Sequence, residues 1–204
     1  GHSVTIITGA PNFPKGKIFK GYKNKIYQNE FIDKISIKRV WTYIAPNKGF
    51  FLRIVDYLSF MISSFFCGLF VKKHDVIIAT SPQFFTLISA YLISILRRTP
   101  LVVEIRDLWP ESVVALGSVK KSNFLIKFLY KIAHHIYKKS SLIIVVTNSF
   151  KDHLYKIGID RDKIIVVKNG FNFDRTLLSN ISVKEIEDKY NIRSDQFVVS
   201  YIGT

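Results

Sequence analysis

The chain has 204 residues, enough for one domain or for one domain with part of another. Its apolar fraction of 48% supplies a substantial core and leaves no segment of disordered composition. Thirty basic against 15 acidic residues give a net charge of +15, which favours anionic partners, while the single cysteine, Cys67, excludes an internal disulfide and any multi-cysteine metal site.

Val4 to Thr8 reads as a short buried strand, ended by Gly9 and Pro11. Residues 9–25 form a long loop carrying Lys15, Lys17, Lys20, Lys23 and Lys25. A loop of that length inside a compact domain usually has a function or moves. Residues 35–44 read as a strand with Ile35, Ile37 and Arg39 on one side. Residues 50–71 predict a helix whose core stripe is Phe51, Val55, Leu58, Ile62 and Phe65. Its 15 uncharged residues from 57 to 71 fall short of the ~20 that span a bilayer. It is expected to be buried or to rest on a surface.

"DVIIAT" (75–80) is the next strand, and Ser81-Pro82 is a helix-start signal after it. That helix runs to about Leu96, and "LVVEI" (101–105) follows as a strand. Residues 123–139 predict an amphipathic helix with Leu125, Phe128, Leu129, Ile132 and Ile136 facing the core. "LIIVV" (142–146), a helix near 149–157 ended by Gly158, and "KIIVV" (163–167) complete the set. After it come a linker, a short polar helix and a last strand over "FVVSYIGT". Continuous apolar strands alternating with helices predict an α/β fold, a Rossmann-like parallel sheet with helices on both faces. The strand-like ends read as those of a fragment lacking elements on both sides.

Ligands of such sheets bind outside the carboxyl ends of the strands. Four polar groups fall there: Thr80-Ser81, Arg106-Asp107 with Trp109 and Glu111, Thr147-Asn148, and Asn169-Gly170. Asp107 and Glu111 suit sugar hydroxyls, Arg106 suits phosphate, and Trp109 suits the apolar face of a sugar ring. The competing account makes Asp107 a turn cap, Arg106 and Glu111 a surface pair, and Trp109 packing under the loop. Asn169-Gly170 is a turn dipeptide that would also let a ligand approach the backbone closely. The five lysines of the loop either solvate it or meet pyrophosphate or lipid headgroups. Neither a glycine-rich dinucleotide fingerprint nor a P-loop is present, the histidines lack metal-ligand spacing, and no serine sits in a nucleophile elbow.

Taken together, "HSVTIIT", "DVIIATSPQFF", "LVVEIRDLWPES", "LIIVVTNSF" and "VVKNGFNFD" resemble the family 4 retaining glycosyltransferases, closest to the branch of bacterial surface-polysaccharide synthesis that includes fucosamine transferases. The resemblance covers essentially the whole chain. It implies a GT-B architecture, two Rossmann-like domains facing a cleft, with residues 1–172 forming the acceptor-side domain without its first strand. Residues 173–204 would then be the linker, helix and first strand of the nucleotide-sugar domain. It further implies metal-independent transfer with no cofactor, a UDP-sugar as co-substrate, and main donor-site residues outside this chain.

There are departures from the family pattern. Many relatives carry His at the position of Arg106, and a guanidinium cannot act as a base. Glu104 and Glu111 have six residues between them, one fewer than the glutamate pair of the family's donor-domain signature, and they lie in the other domain. Asp107 keeps a polar role in the cleft.

The reading favoured is transfer of a sugar to a lipid-linked, pyrophosphate-bearing acceptor in O-antigen or capsule synthesis. The enzyme would be cytoplasmic and peripheral on the inner face of the bacterial membrane, a reducing location that one cysteine fits. Two rivals stand beside it: a UDP-sugar 2-epimerase of the same architecture, and a non-catalytic basic α/β module binding nucleic acid or an anionic membrane. No nucleic-acid signature favours the nucleic-acid form of the last.

Overall fold

The computed structural model describes residues 1–44, 50–115, 123–170, 182–193 and 195–199. The chain divides into two compact units, Gly1–Lys168 and Asn169–Thr204.

The first unit holds two sheets. In chain order its elements begin with β1 (Thr5–Thr8), β2 (Tyr27–Ile32), β3 (Ile35–Val40), α1 (Phe50–Phe70), β4 (Ile77–Thr80) and α2 (Phe84–Arg97). They continue with β5 (Leu101–Ile105), α3 (Glu111–Ala115), α4 (Phe124–Lys139), β6 (Leu142–Val145), α5 (Asn148–Lys156), a 3₁₀ turn (Arg161–Lys163) and β7 (Ile164–Val166). One sheet has the order β1-β3-β2, and the other is β4-β5-β6-β7, parallel throughout. The α/β class therefore stands, a parallel sheet of short apolar strands flanked by helices.

Helix cover is concentrated on one face of the four-stranded sheet. Ala79, Leu101, Val103, Ile105, Ile143, Val145 and Ile164 lie in a core cluster with residues of α2, α4 and α5. Alternation along a strand turns the intervening side chains to the opposite face, where Ile78 is 62% exposed and Ile165 is 39% exposed.

The hairpin of β2 and β3 is absent from the sequence expectation. Its turn is Asp33-Lys34, both at positive φ (49° and 67°), as a two-residue primed turn requires. Asp-Lys is not among the dipeptides that announce such a turn, so the signal was weak. The strand expected over 35–44 ends at Val40, so residues 41–44 lie beyond it.

Two helices turn differently from their expected stripes. Ile62 of α1 is exposed, whereas Ser64 and Gly68 are buried. The reason is the neighbour. Ser64 Oγ and Ser89 Oγ of α2 are 2.9 Å apart, and a Cβ on Gly68 would lie 2.4 Å from Ile93 Cδ1. Small residues let α1 and α2 approach closely, so the apolar side chains turn outward. In α4 the buried residues are Ile126, Leu129, Ala133, Ile136 and Tyr137, while Leu125 and Phe128 are exposed.

Leu52–Phe70 is long and apolar enough to cross a membrane by length and composition, and 11% of it is buried. Arg53 and Asp56 lie inside that stretch, and Ser64 and Gly68 use one side of it for packing.

In the second unit, α6 (Val183–Tyr190) starts with a capping box in which Ser182 and Glu185 satisfy each other's backbone N–H. Residues 197–199 are not in a strand, and the remainder of the expected last strand, 200–204, lies outside the described residues. So does most of the expected linker.

Candidate functional site

Strands β4, β5 and β6 are neighbours and parallel, so the residues following them line one rim. Ser81 builds that rim from inside. Its N–H donates to Glu104 O at 2.9 Å. Its hydroxyl donates to Asp107 O at 3.2 Å and accepts from Arg106 N at 3.1 Å. It is 1% exposed and holds the turn from beneath, whereas the sequence reading expects it to bind substrate. Nor does it start the helix: Gln83 occupies the N-cap of α2 without a side-chain cap bond.

The turn that Ser81 holds presents Arg106 exposed and Asp107 half-buried. Trp109 is committed mainly to packing. Its ring stacks on Phe84 with centroids 4.8 Å apart and planes at 17°, and Phe85 meets it edge-on at 5.9 Å. The indole face expected to receive a sugar is therefore shared with the core, as the packing account anticipated.

Glu111 is the first residue of α3, and its carboxylate pairs with His153 of α5, Oε1 to Nε2 at 3.2 Å. The sequence offers Arg106 as its surface partner, and the structure adds His153. This carboxylate–imidazole pair joins residues 42 apart in sequence, and His153 carried no local motif. Beneath it lies Tyr137, 4% exposed. Burial first, then the negative charge of Glu111 and Asp107, pushes its phenol well above the usual range. Tyr130 is raised by burial and by Glu111. Both tyrosines thus stay neutral as hydrogen-bonding groups near the carboxylates.

Thr80 Oγ1 donates to Glu104 Oε2 at 2.8 Å, so the mid-strand glutamate is engaged on the sheet rather than at the rim. Thr147 is the N-cap of α5, accepting from Phe150 N at 3.2 Å, and Asn148 is exposed in the first turn. Thr147 therefore has a structural task at the rim beside any ligand. Asn169 and Gly170 belong to the second unit. A Cβ on Gly170 would meet nothing within 4 Å, so nothing described there requires glycine.

The loop after β1 keeps Lys15, Lys17, Lys20, Lys23 and Lys25 exposed, and it is ordered by its own bonds. Gly16 N donates to Asn12 O at 2.8 Å and Phe19 N to Pro11 O at 3.0 Å. Arg39 clasps it: Nη1 donates to Gly9 O at 3.0 Å, Nε pairs with Glu30 at 2.9 Å, and the guanidinium lies 4.8 Å from the Tyr22 ring centre. Among the described residues no three His, Cys, Asp or Glu side chains gather as metal ligands.

A parallel sheet whose carboxyl ends lead into a turn with Arg106 and Asp107, and into helices carrying Glu111 and His153, has the site layout of ligand-binding α/β enzymes. Residues 1–175 match the model of Glycosyltransferase Family 4, and the chain belongs to that family.

Among solved structures, Anabaena HepE in complex with UDP-glucose is similar at 16% identity and a TM-score of 0.46, over 65% of this chain and 32% of that one. The same protein in complex with UDP gives 16%, 0.46, 68% and 33%. A UDP-N-acetylglucosamine 2-epimerase is similar at 12% identity and a TM-score of 0.42, over 88% of this chain and 55% of that one. The chain spans about a third of the HepE chains. No curated protein matches it.

Proposed function

We propose that the chain is the acceptor-side part of a retaining, metal-independent glycosyltransferase that takes a sugar from a UDP-sugar. The acceptor is a lipid-linked, pyrophosphate-bearing saccharide, as in bacterial O-antigen or capsule synthesis. The observation that carries this is the Ser81-anchored turn, which presents Arg106 and Asp107 beside Glu111 and His153 at the rim of a family 4 chain. Arg106 meets phosphate oxygens, and Asp107 accepts from sugar hydroxyls. Incubating the full-length protein with a panel of UDP-sugars and a lipid-pyrophosphoryl sugar tests it. Absence of both transfer and donor hydrolysis across the panel would sink the reading.

The enzyme works on the inner face of the cytoplasmic membrane as a peripheral protein. The exposed Ile62, Phe66 and Phe70 of α1 support this, as does the net charge of +15. Each lysine near an anionic surface contributes about 1 kcal/mol. Flotation with anionic but not zwitterionic liposomes, lost at high salt, is the expected behaviour. Equal recovery with both lipids would contradict it.

The Glu111–His153 pair favours a second reading, the UDP-sugar 2-epimerase, because it supplies an acid/base couple at the rim. Product analysis with donor alone separates the two: epimerised UDP-sugar marks the epimerase, and transfer only when acceptor is added marks the transferase.

A further inference from the structure

An open pocket lies at the carboxyl end of β3, beside the lysine loop. It has a volume of about 450 Å³ and is lined by Lys17, Asn24, Trp41, Thr42 and Tyr43 among others. Trp41 is 41% and Tyr43 40% exposed, two large aromatic side chains left at the surface just past a strand.

Their backbone is fixed. Trp41 N donates to Ile26 O at 3.2 Å. Thr42 is locked on both sides by one amide, with Asn24 Nδ2 donating to Thr42 O at 2.7 Å and Thr42 N donating to Asn24 Oδ1 at 3.2 Å. Tyr43 N donates to Ser59 Oγ at 2.8 Å. Three consecutive backbone N–H groups are thus satisfied internally. The segment has no hydrogen-bonding reason to rearrange, and its aromatic surface is held ready without further loss of entropy. Exposed aromatics on rigid backbone, with hydrogen-bonding groups and a cation at hand, match the amphipathic surface of a phosphorylated sugar, with its apolar C–H faces, hydroxyl edge and negative charge.

We propose that this pocket is a saccharide subsite, in which Trp41 and Tyr43 receive a pyranose ring of a pyrophosphoryl sugar and Lys17 meets its phosphate. Strand β3 ends at this pocket. The subsite takes the acceptor, an assignment that rests on the transferase reading above. None of these aromatics stood out in the sequence, because they follow a strand whose alternation hides its end.

Isothermal titration of the full-length protein with a short-chain pyrophosphoryl N-acetylglucosamine, without donor, tests it. The proposal expects saturable binding that weakens about tenfold or more in Trp41→Ala and in Lys17→Ala, and recovers in Trp41→Phe. Melting temperatures of the variants confirm that each is folded. Affinity unchanged in a folded Trp41→Ala, or inorganic pyrophosphate binding as tightly as the sugar conjugate, would overturn the subsite. Binding as expected with no transfer would leave the subsite standing and remove the transferase. Transfer with an acceptor KM unchanged in Trp41→Ala would do the reverse.

Discussion

The hydroxyl of Ser81 accepts the backbone N–H of Arg106 at 3.1 Å, tying the end of one strand to the turn after its neighbour. The same oxygen donates to the carbonyl of Asp107 at 3.2 Å. One buried side chain therefore sets where Arg106 and Asp107 stand. Ser81→Ala removes both bonds and leaves buried backbone groups unsatisfied, a loss of about 1–3 kcal/mol. Urea denaturation measures the loss. A stability within 0.5 kcal/mol of wild type, on the order of a neutral surface change, would show that the turn holds itself.

The contact between α1 and α2 predicts a helix glycine that resists substitution. A Cβ at Gly68 would meet Ile93 Cδ1 at 2.4 Å and Cγ1 at 3.2 Å, and Ile93 is buried. Gly68→Val should destabilise by about 1–3 kcal/mol through overpacking, despite the gain in helix propensity over glycine. Thermal melts of Gly68→Val decide the point, and a raised midpoint would mean that the helices are free to separate.

Cys67 is half-buried, and burial pushes its thiol above its ordinary value, with Lys38 offsetting part of the effect. A raised value lowers the thiolate share at any given pH below it. Alkylation by iodoacetamide at about pH 8 should be slower than for free cysteine and should keep climbing at pH values where free cysteine has levelled off. A rate equal to that of free cysteine at pH 8 would mean that the thiol is not shielded.

Much of the fold was legible because the parallel strands are continuous apolar runs and their helices carry periodic patterns. What escaped depended on partners distant in sequence. The β2–β3 hairpin closes on Asp33-Lys34, a pair that adopts positive φ without glycine. The face of α1 was misplaced by part of a turn, because Ser64 and Gly68 are buried through fit against α2 rather than through hydrophobicity. At the site, the position of Arg106 and Asp107 follows directly from the end of β5. The partner of Glu111 did not, since His153 is brought to it only by the β5-β6 pairing and α5. Trp109 shows the limit most plainly: residue type fits sugar stacking, but Phe84 claims the ring.

The central claim is that the Arg106–Asp107 turn binds ligand in a sugar-transfer cleft. The measurement that tests it most directly is the transfer rate of the full-length protein carrying Arg106→Ala, read beside its melting temperature. The account predicts a loss in kcat/KM on the order of 100-fold, as for removal of one charge-stabilising donor, in a protein that still melts as a folded one. Transfer equal to wild type in a folded Arg106→Ala protein would contradict it and leave the cluster as the corner of a sheet.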